Sequence, residues 1–353
     1  MKSSLFTKAA LLMLVLVTAS IVSWEVYVRN KGFDTSFDDM EALWANKRAM
    51  IYEPTERSTV FIGSSRIKFD LDINTWENLT GDHAIQLACV GSTPIPILEN
   101  LADDNNFKGK LVIDVTEILF FSKSPHNSET PEKNLKYYLQ HTPAQWVSFR
   151  LNHALESQFV FLDKKRLSLG AHLSNLRIPN RPGVFEFPIF PPDFGRVKFE
   201  RQEYMTDRFL KDTNQQNQVK GIWAFFRKIS KEPPASGHKL DSIFEEVKIA
   251  VDKIRARGGQ VVFVRTPSSG PFLAGEKMGF PREKYWDKLL AFTNCPGIYF
   301  EDYPAIAHFE CPEFSHLSQP DAIIFTKNFI KILQEEKGWK FPESKGQIKL
   351  STF

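Results

Sequence analysis

The chain has 353 residues, 42% hydrophobic and 25% charged, enough apolar side chain for one large domain or two modest ones. A net charge of +3, with no dense Lys/Arg tract, argues against a nucleic-acid-binding surface. There is no internal repeat or low-complexity stretch, and neither CxxC nor His-rich spacing argues for a metal.

After Lys2 and Lys8 comes "AALLMLVLVTASIVSWEVYV", Ala9 to Val28, with Glu25 as its only charge. A run of about 20 residues matches the hydrocarbon core of a bilayer at helical rise. Trp24 and Tyr27 fall where an interfacial aromatic belt sits. A signal peptide cut near Ala19 competes with an uncleaved anchor, and the anchor fits better because the apolar run continues past that point. Residues 1–28 are therefore read as a signal anchor, a single transmembrane helix. The N-side lysines favour a cytoplasmic N-terminus and place the rest on the periplasmic or extracellular face. A polar, aromatic-rich connector follows over 29–57, with a helix around "FDDMEALWANKRAMIY".

Five short apolar runs then read as strands: "TVFIG" (59–63), "HAIQLAC" (83–89), "KLVIDV" (110–115), "QVVFVR" (260–265) and "GIYFED" (297–302). Each is apolar throughout rather than alternating, as parallel strands covered on both faces require. Helical patterns separate them. "KLDSIFEEVKIAVDKIRARGG" carries Phe244, Val247, Val251 and Ile254 on one stripe, with Gly258 as a stop. "QPDAIIFTKNFIKILQEE" starts near Pro320 and places Ile324, Phe325, Phe329 and Ile332 on its apolar face. The alternation predicts a three-layer, doubly wound α/β domain over 58–340, built on a five-stranded parallel sheet, with a tail at 341–353.

About 140 residues separate the third strand from the fourth, too many for one crossover. The range 121–237 is accordingly read as an insertion, either a solvated satellite or a lid over an anionic or sugar-rich substrate. Its Pro- and Phe-rich stretch, "PGVFEFPIFPPDFGRVKFE", suggests an irregular hairpin. Three cysteines remain. Cys295 and Cys311 close a loop of about 17 residues, suited to a disulfide in an oxidising compartment, while Cys89 sits in an apolar run.

Ligands of parallel α/β sheets bind at the carboxyl ends of the strands. There the chain places Gly63-Ser64-Ser65, Gly91, Asp114-Val115-Thr116-Glu117, Arg265, and finally "ECPEFSHLSQPDA". Acyl transfer needs a hydroxyl nucleophile, an imidazole base, a carboxylate to orient it, and donors for the oxyanion. Ser65 is the candidate nucleophile, His316 the base and Glu313 the orienting acid, with Asp302 and Asp321 as rival acids. The amides of Ser65 and Gly91, with Thr116, are the candidate oxyanion hole. Arg66 and Arg265 are candidate binders of a substrate carboxylate or phosphate, or else internal ion pairs.

The order of these blocks resembles the SGNH (GDSL-like) hydrolase superfamily. "FIGSS" stands at its Gly-Asp-Ser block, "ACVG" at its glycine block and "EFSHLS" at its Asp-x-x-His block. With the N-terminal anchor, the chain is similar to the extracytoplasmic branch that holds the D-alanine transfer protein of teichoic acid synthesis and the alginate acetylation proteins. The likeness covers 58–120 and 258–335. It implies a serine esterase or O-acyltransferase of the cell envelope, needing no cofactor and acting on a polysaccharide or glycopolymer as in polysaccharide acetylation. An acyl donor serves as co-substrate and a membrane-bound O-acyltransferase as partner. Two departures stand out: Thr116 replaces the family's Asn, and Glu313 replaces its Asp. They support a rival expectation, a non-catalytic accessory protein that binds glycan or scaffolds an acylation complex.

Overall fold

The computed structural model describes residues 2–342 other than 55, 175, 177–180, 182, 185–186 and 231. The tail expected at 341–353 lies outside the described residues from 343 onward, as do three positions of the Pro- and Phe-rich stretch. Five strands form one all-parallel sheet: β1 (Ser58–Ile62), β2 (His83–Gln86), β3 (Lys110–Asp114), β4 (Gln260–Arg265) and β5 (Gly297–Tyr299). Their order is β2-β1-β3-β4-β5. β2 and β3 lie on opposite sides of β1, so the carboxyl ends of β1 and β3 stand side by side.

Two runs end earlier than their apolar patterns. β2 stops at Gln86, although the amides of Leu87 and Cys89 still donate to the carbonyls of Phe61 and Gly63 at 2.8 and 3.1 Å. β5 turns into a 3₁₀ helix at Phe300–Asp302, which lifts its acidic end out of the ladder.

The strands are covered because the helices between them carry one apolar face each. The helix His238–Ala256 buries Leu240, Phe244, Val247, Val251 and Ile254. It stops where Gly258 takes a φ of +88°, a conformation costly for any residue with a Cβ. The helix Gln319–Glu335 starts with the Ser318 side chain accepting from the Asp321 amide, and buries Phe325, Phe329, Ile332 and Leu333. Ile324, expected on that face, is exposed, because the inward stripe runs through Ala322 and Thr326 instead. In the core Phe61 meets the edge of Trp76 at 4.9 Å, and the buried Trp44 indole donates to the Leu87 carbonyl at 2.8 Å. Each such burial stabilises the fold by about 1.5–3 kcal/mol.

The chain divides into two compact units, Met1–Asp38 with Thr142–Glu186, and Asp39–His141 with Phe187–Phe353. The insertion is thus shared between them. In the first unit the helix Lys2–Asn30 is, from Leu5 on, long and apolar enough to cross a membrane. Its internal charge is partnered: Glu25 accepts from the amides of Val160 and Phe161 at 3.0 and 3.1 Å and from Arg29 at 2.6 Å.

In the second unit the end of the Pro- and Phe-rich stretch forms a short antiparallel ribbon, Arg196–Val197 against Glu203–Tyr204. Arg201, at its turn, is buried and donates to the carbonyls of Gln86 and Ala88 at 2.8 and 3.1 Å, and to Asp39 at 2.5 Å. A basic side chain of the insertion therefore clamps the end of β2.

The cysteine pairing is corrected. Cys295 and Cys311 are both free and buried, as is Cys89. Cys295 lies beside the Arg255 guanidinium, whereas the Cys311 thiol faces the Pro267 carbonyl at 3.8 Å. Sequence proximity did not bring their side chains together, since each thiol is packed against a different partner.

Candidate active site

β1 ends at Ile62, and the chain turns at once into the short helix Ser65–Asp70. The turn requires Gly63. Its φ is +155°, and a Cβ there would lie 2.5 Å from the Cβ of Asp114 at the end of β3. Ser64 points inward. Its hydroxyl shares a hydrogen bond with Thr116 Oγ1 at 2.7 Å, and its amide donates to Asp114 Oδ2 at 3.3 Å. Ser65, the first residue of the helix, is half-buried. Its amide has no acceptor within the helix.

After β5 the chain returns to the carboxyl end of β1 with Glu313 and His316. The Ser65 hydroxyl lies 2.8 Å from His316 Nε2, and His316 Nδ1 lies 2.9 Å from Glu313 Oε1. A carboxylate only accepts, so the Nδ1 side carries the proton and Nε2 is left to accept from Ser65. Glu313 Oε1 also accepts the amides of Ser315 and His316, at 3.2 and 2.6 Å. The extra methylene of Glu relative to Asp lets the carboxylate curl back onto its own loop and still reach the ring. The rival acids are engaged elsewhere: Asp302 with Arg282, and Asp321 with Ser318 at the start of a helix.

One partner was not legible in the sequence. The indole N–H of Trp223, in the insertion helix Thr213–Ile229, donates to Glu313 Oε2. Phe69, Phe194 and Trp223 ring the buried imidazole, with centroids 4.5, 5.7 and 6.0 Å from it. The last part of the insertion thus forms one wall of the site and excludes water from the His316–Glu313 pair. Asp70 is another partner unforeseen from spacing. It is fully buried and accepts the Leu317 amide at 2.9 Å, fixing the backbone directly after His316. Burial pushes its carboxyl up to about 7, against the opposing pull of the Leu317 amide and of His316. Asp114 is likewise raised by burial, to about 6, although Arg66 and the Ser64 amide favour its charge.

The expected oxyanion donors fare differently. Gly91 adopts a φ of +63°, and a Cβ there would meet nothing, so backbone conformation rather than packing calls for glycine. Its turn is tied to the Gly63-Ser64-Ser65 turn by the bond from the Cys89 amide to the Gly63 carbonyl. Thr116 is corrected as a hydroxyl donor. Its Oγ1 donates to Asp114 Oδ2 at 3.1 Å and is shared with Ser64, so the hydroxyl is spent on the turn.

Arg66 and Arg265 are corrected as well, because both are buried and neither is presented to a substrate. Arg66 pairs with Glu276, and Arg265 with Glu117 at 2.9 Å and Glu276 at 2.5 Å. Two guanidiniums and two carboxylates balance in charge, which is the condition for keeping them out of water. Burial alone would lower Arg265, but Glu117 and Glu276 outweigh it and hold the group charged. The Arg66 Nε also approaches Ser315 Oγ at 3.4 Å, so the network stiffens the loop that carries His316. Among the described residues no group of His, Cys, Asp and Glu has the arrangement of a metal centre. No protein-family model matches this chain, and no curated protein matches it.

Proposed function

We propose that this protein is a membrane-anchored serine acyl-transfer enzyme of the SGNH type, acting outside the cytoplasm on a cell-envelope polysaccharide or glycopolymer. The observation that carries the reading is the continuous chain from Ser65 through His316 to Glu313 at the carboxyl edge of a parallel sheet. The 2-1-3-4-5 strand order suits a doubly wound fold with its ligand site in the β1/β3 crevice. The apolar N-terminal helix, with lysines on its N-side, supports the placement.

In this reading His316 Nε2 takes the Ser65 proton as Oγ attacks the acyl carbon. The carbonyl oxygen becomes an oxyanion, facing the amides of Ser65 and Gly91. The imidazolium, steadied by Glu313, then hands its proton to the leaving oxygen, and the acyl group stays on Ser65. A sugar hydroxyl or water, deprotonated by His316, attacks the acyl-enzyme and frees the serine. The engaged Thr116 hydroxyl removes a side-chain donor from the hole. This favours as second reading a glycan-binding accessory to a membrane O-acyltransferase.

The two readings separate on labelling of the full chain with a fluorophosphonate. Ser65→Ala and His316→Ala should abolish labelling and p-nitrophenyl acetate turnover, while Ser64→Ala, removing only a turn contact, should retain both. Ester turnover that persists in Ser65→Ala would sink the enzyme reading.

A further inference from the structure

We infer that the helix Pro143–Glu156 is a membrane-docking element, lying in the headgroup region of a bilayer beside the apolar N-terminal helix. The inference rests on the reading of that N-terminal helix as a span. None of the fourteen residues of Pro143–Glu156 is buried. One side of the helix faces its own unit: Phe149, His153 and Glu156 are half-buried, and the His153 ring lies 5.7 Å from that of Phe37. The opposite side carries Val147, Leu151 and Leu155 at a four-residue spacing, exposed by 48%, 62% and 49%. Ala144 and Ala154 flank them and are exposed too. A helix bathed in water turns its polar side chains outward; this one turns its aliphatic stripe outward. On the side of Phe149 and His153, Trp146 is exposed, with the Arg150 guanidinium 4.8 Å over its ring, an amphipathic pair of the kind that sits among headgroups.

The occupant of this face is set by what the helix is tied to. Just beyond its end, the Gln158 carbonyl accepts from Arg29 at 2.7 Å, and the amides of Val160 and Phe161 donate to Glu25. Those anchors lie at the C-terminal end of the apolar run, among the stacked pair Trp24 and Tyr27, where a span leaves the hydrocarbon. The exposed stripe therefore starts at headgroup level. Farther on, Leu169, Leu173 and Leu176 are also exposed. Arg150 and the exposed Lys165 add positive charge, which anionic headgroups attract.

The test uses full-length protein in vesicles of phosphatidylcholine and phosphatidylglycerol, with a nitroxide on one introduced cysteine at a time. The native cysteines are buried, so labelling falls on Val147→Cys, Leu151→Cys or Leu155→Cys, with Asn152→Cys on a polar flank and Val17→Cys within the span. Collisions with oxygen, which partitions into hydrocarbon, are compared with those of a water-soluble nickel chelate. Labels at 147, 151 and 155 should favour oxygen severalfold, and the label at 152 should favour nickel. Equal nickel access at 151 and 152 would overturn the inference. So would spin–spin broadening, which means a second copy, or low access to both reagents, which means a protein partner. Nickel access at 17 would instead overturn the span itself, and the two failures are thereby told apart.

Discussion

Trp223→Phe removes the indole N–H and keeps a smaller aromatic ring in the wall around His316. In the native site the indole donates to Glu313 Oε2, the only described partner of that oxygen, while Oε1 serves His316 and two backbone amides. A hydrogen bond to a charged group contributes about 1.5–3 kcal/mol, and a loss felt wholly in the step that charges His316 slows it about 10- to 150-fold. Oε1 keeps its three donors, so the lower end is expected, roughly tenfold in kcat with KM little changed. The assay is the second-order rate of fluorophosphonate labelling of Ser65, with p-nitrophenyl acetate turnover beside it. Stability should also fall by about 1–3 kcal/mol, because a carboxylate oxygen is left buried and unpaired. If Trp223→Phe reacted within twofold of the parent while Ser65→Ala stayed silent, the indole would be packing only, and the reasoning would be wrong.

Other consequences follow from single groups. The Asp70 carboxyl is raised to about 7 by burial, so the folded state holds a proton that the unfolded chain releases near pH 4. Stability should be full below about pH 4 and fall as pH rises to 7, by at most about 4 kcal/mol; denaturant titrations of Asp70→Asn should lack that slope. Gly63→Ala places a Cβ 2.5 Å from Asp114 and should cost at least about 2 kcal/mol and abolish Ser65 labelling; a stable, reactive variant would contradict the turn described. With Cys295 and Cys311 free, alkylation in denaturant without reductant should modify three thiols, and reductant should leave the melting temperature unchanged. In the native protein Cys311 should resist alkylation, since burial pushes its thiol well above the ordinary value.

Much of this architecture was legible in the sequence because it depends on local rules. Unbroken apolar runs such as "TVFIG" and "QVVFVR" mark strands covered on both faces, and the stripe from Phe244 to Ile254 marks a helix on one of them. The carboxyl-end rule then sufficed to bring Ser65 and His316 to one crevice across 251 residues of chain. The choice of Ser65 over Ser64 rests on the resemblance of "FIGSS" to a Gly-Asp-Ser block, and the structure turns Ser64 toward Thr116 and Ser65 toward His316. What spacing does not encode is which long-range partner satisfies a buried polar group. Arg66 and Arg265 resemble substrate ligands in one dimension and prove to be the interior counter-ions of Glu117 and Glu276. Thr116 closes a turn, and the two cysteines stay apart. Trp223 and Asp70 reach the site from segments with no motif of their own, because a hydrogen bond needs only proximity in space. The insertion shows the same division: its length marked it as foreign to the sheet, but only packing could send its last part to His316 and its middle to the end of an apolar helix.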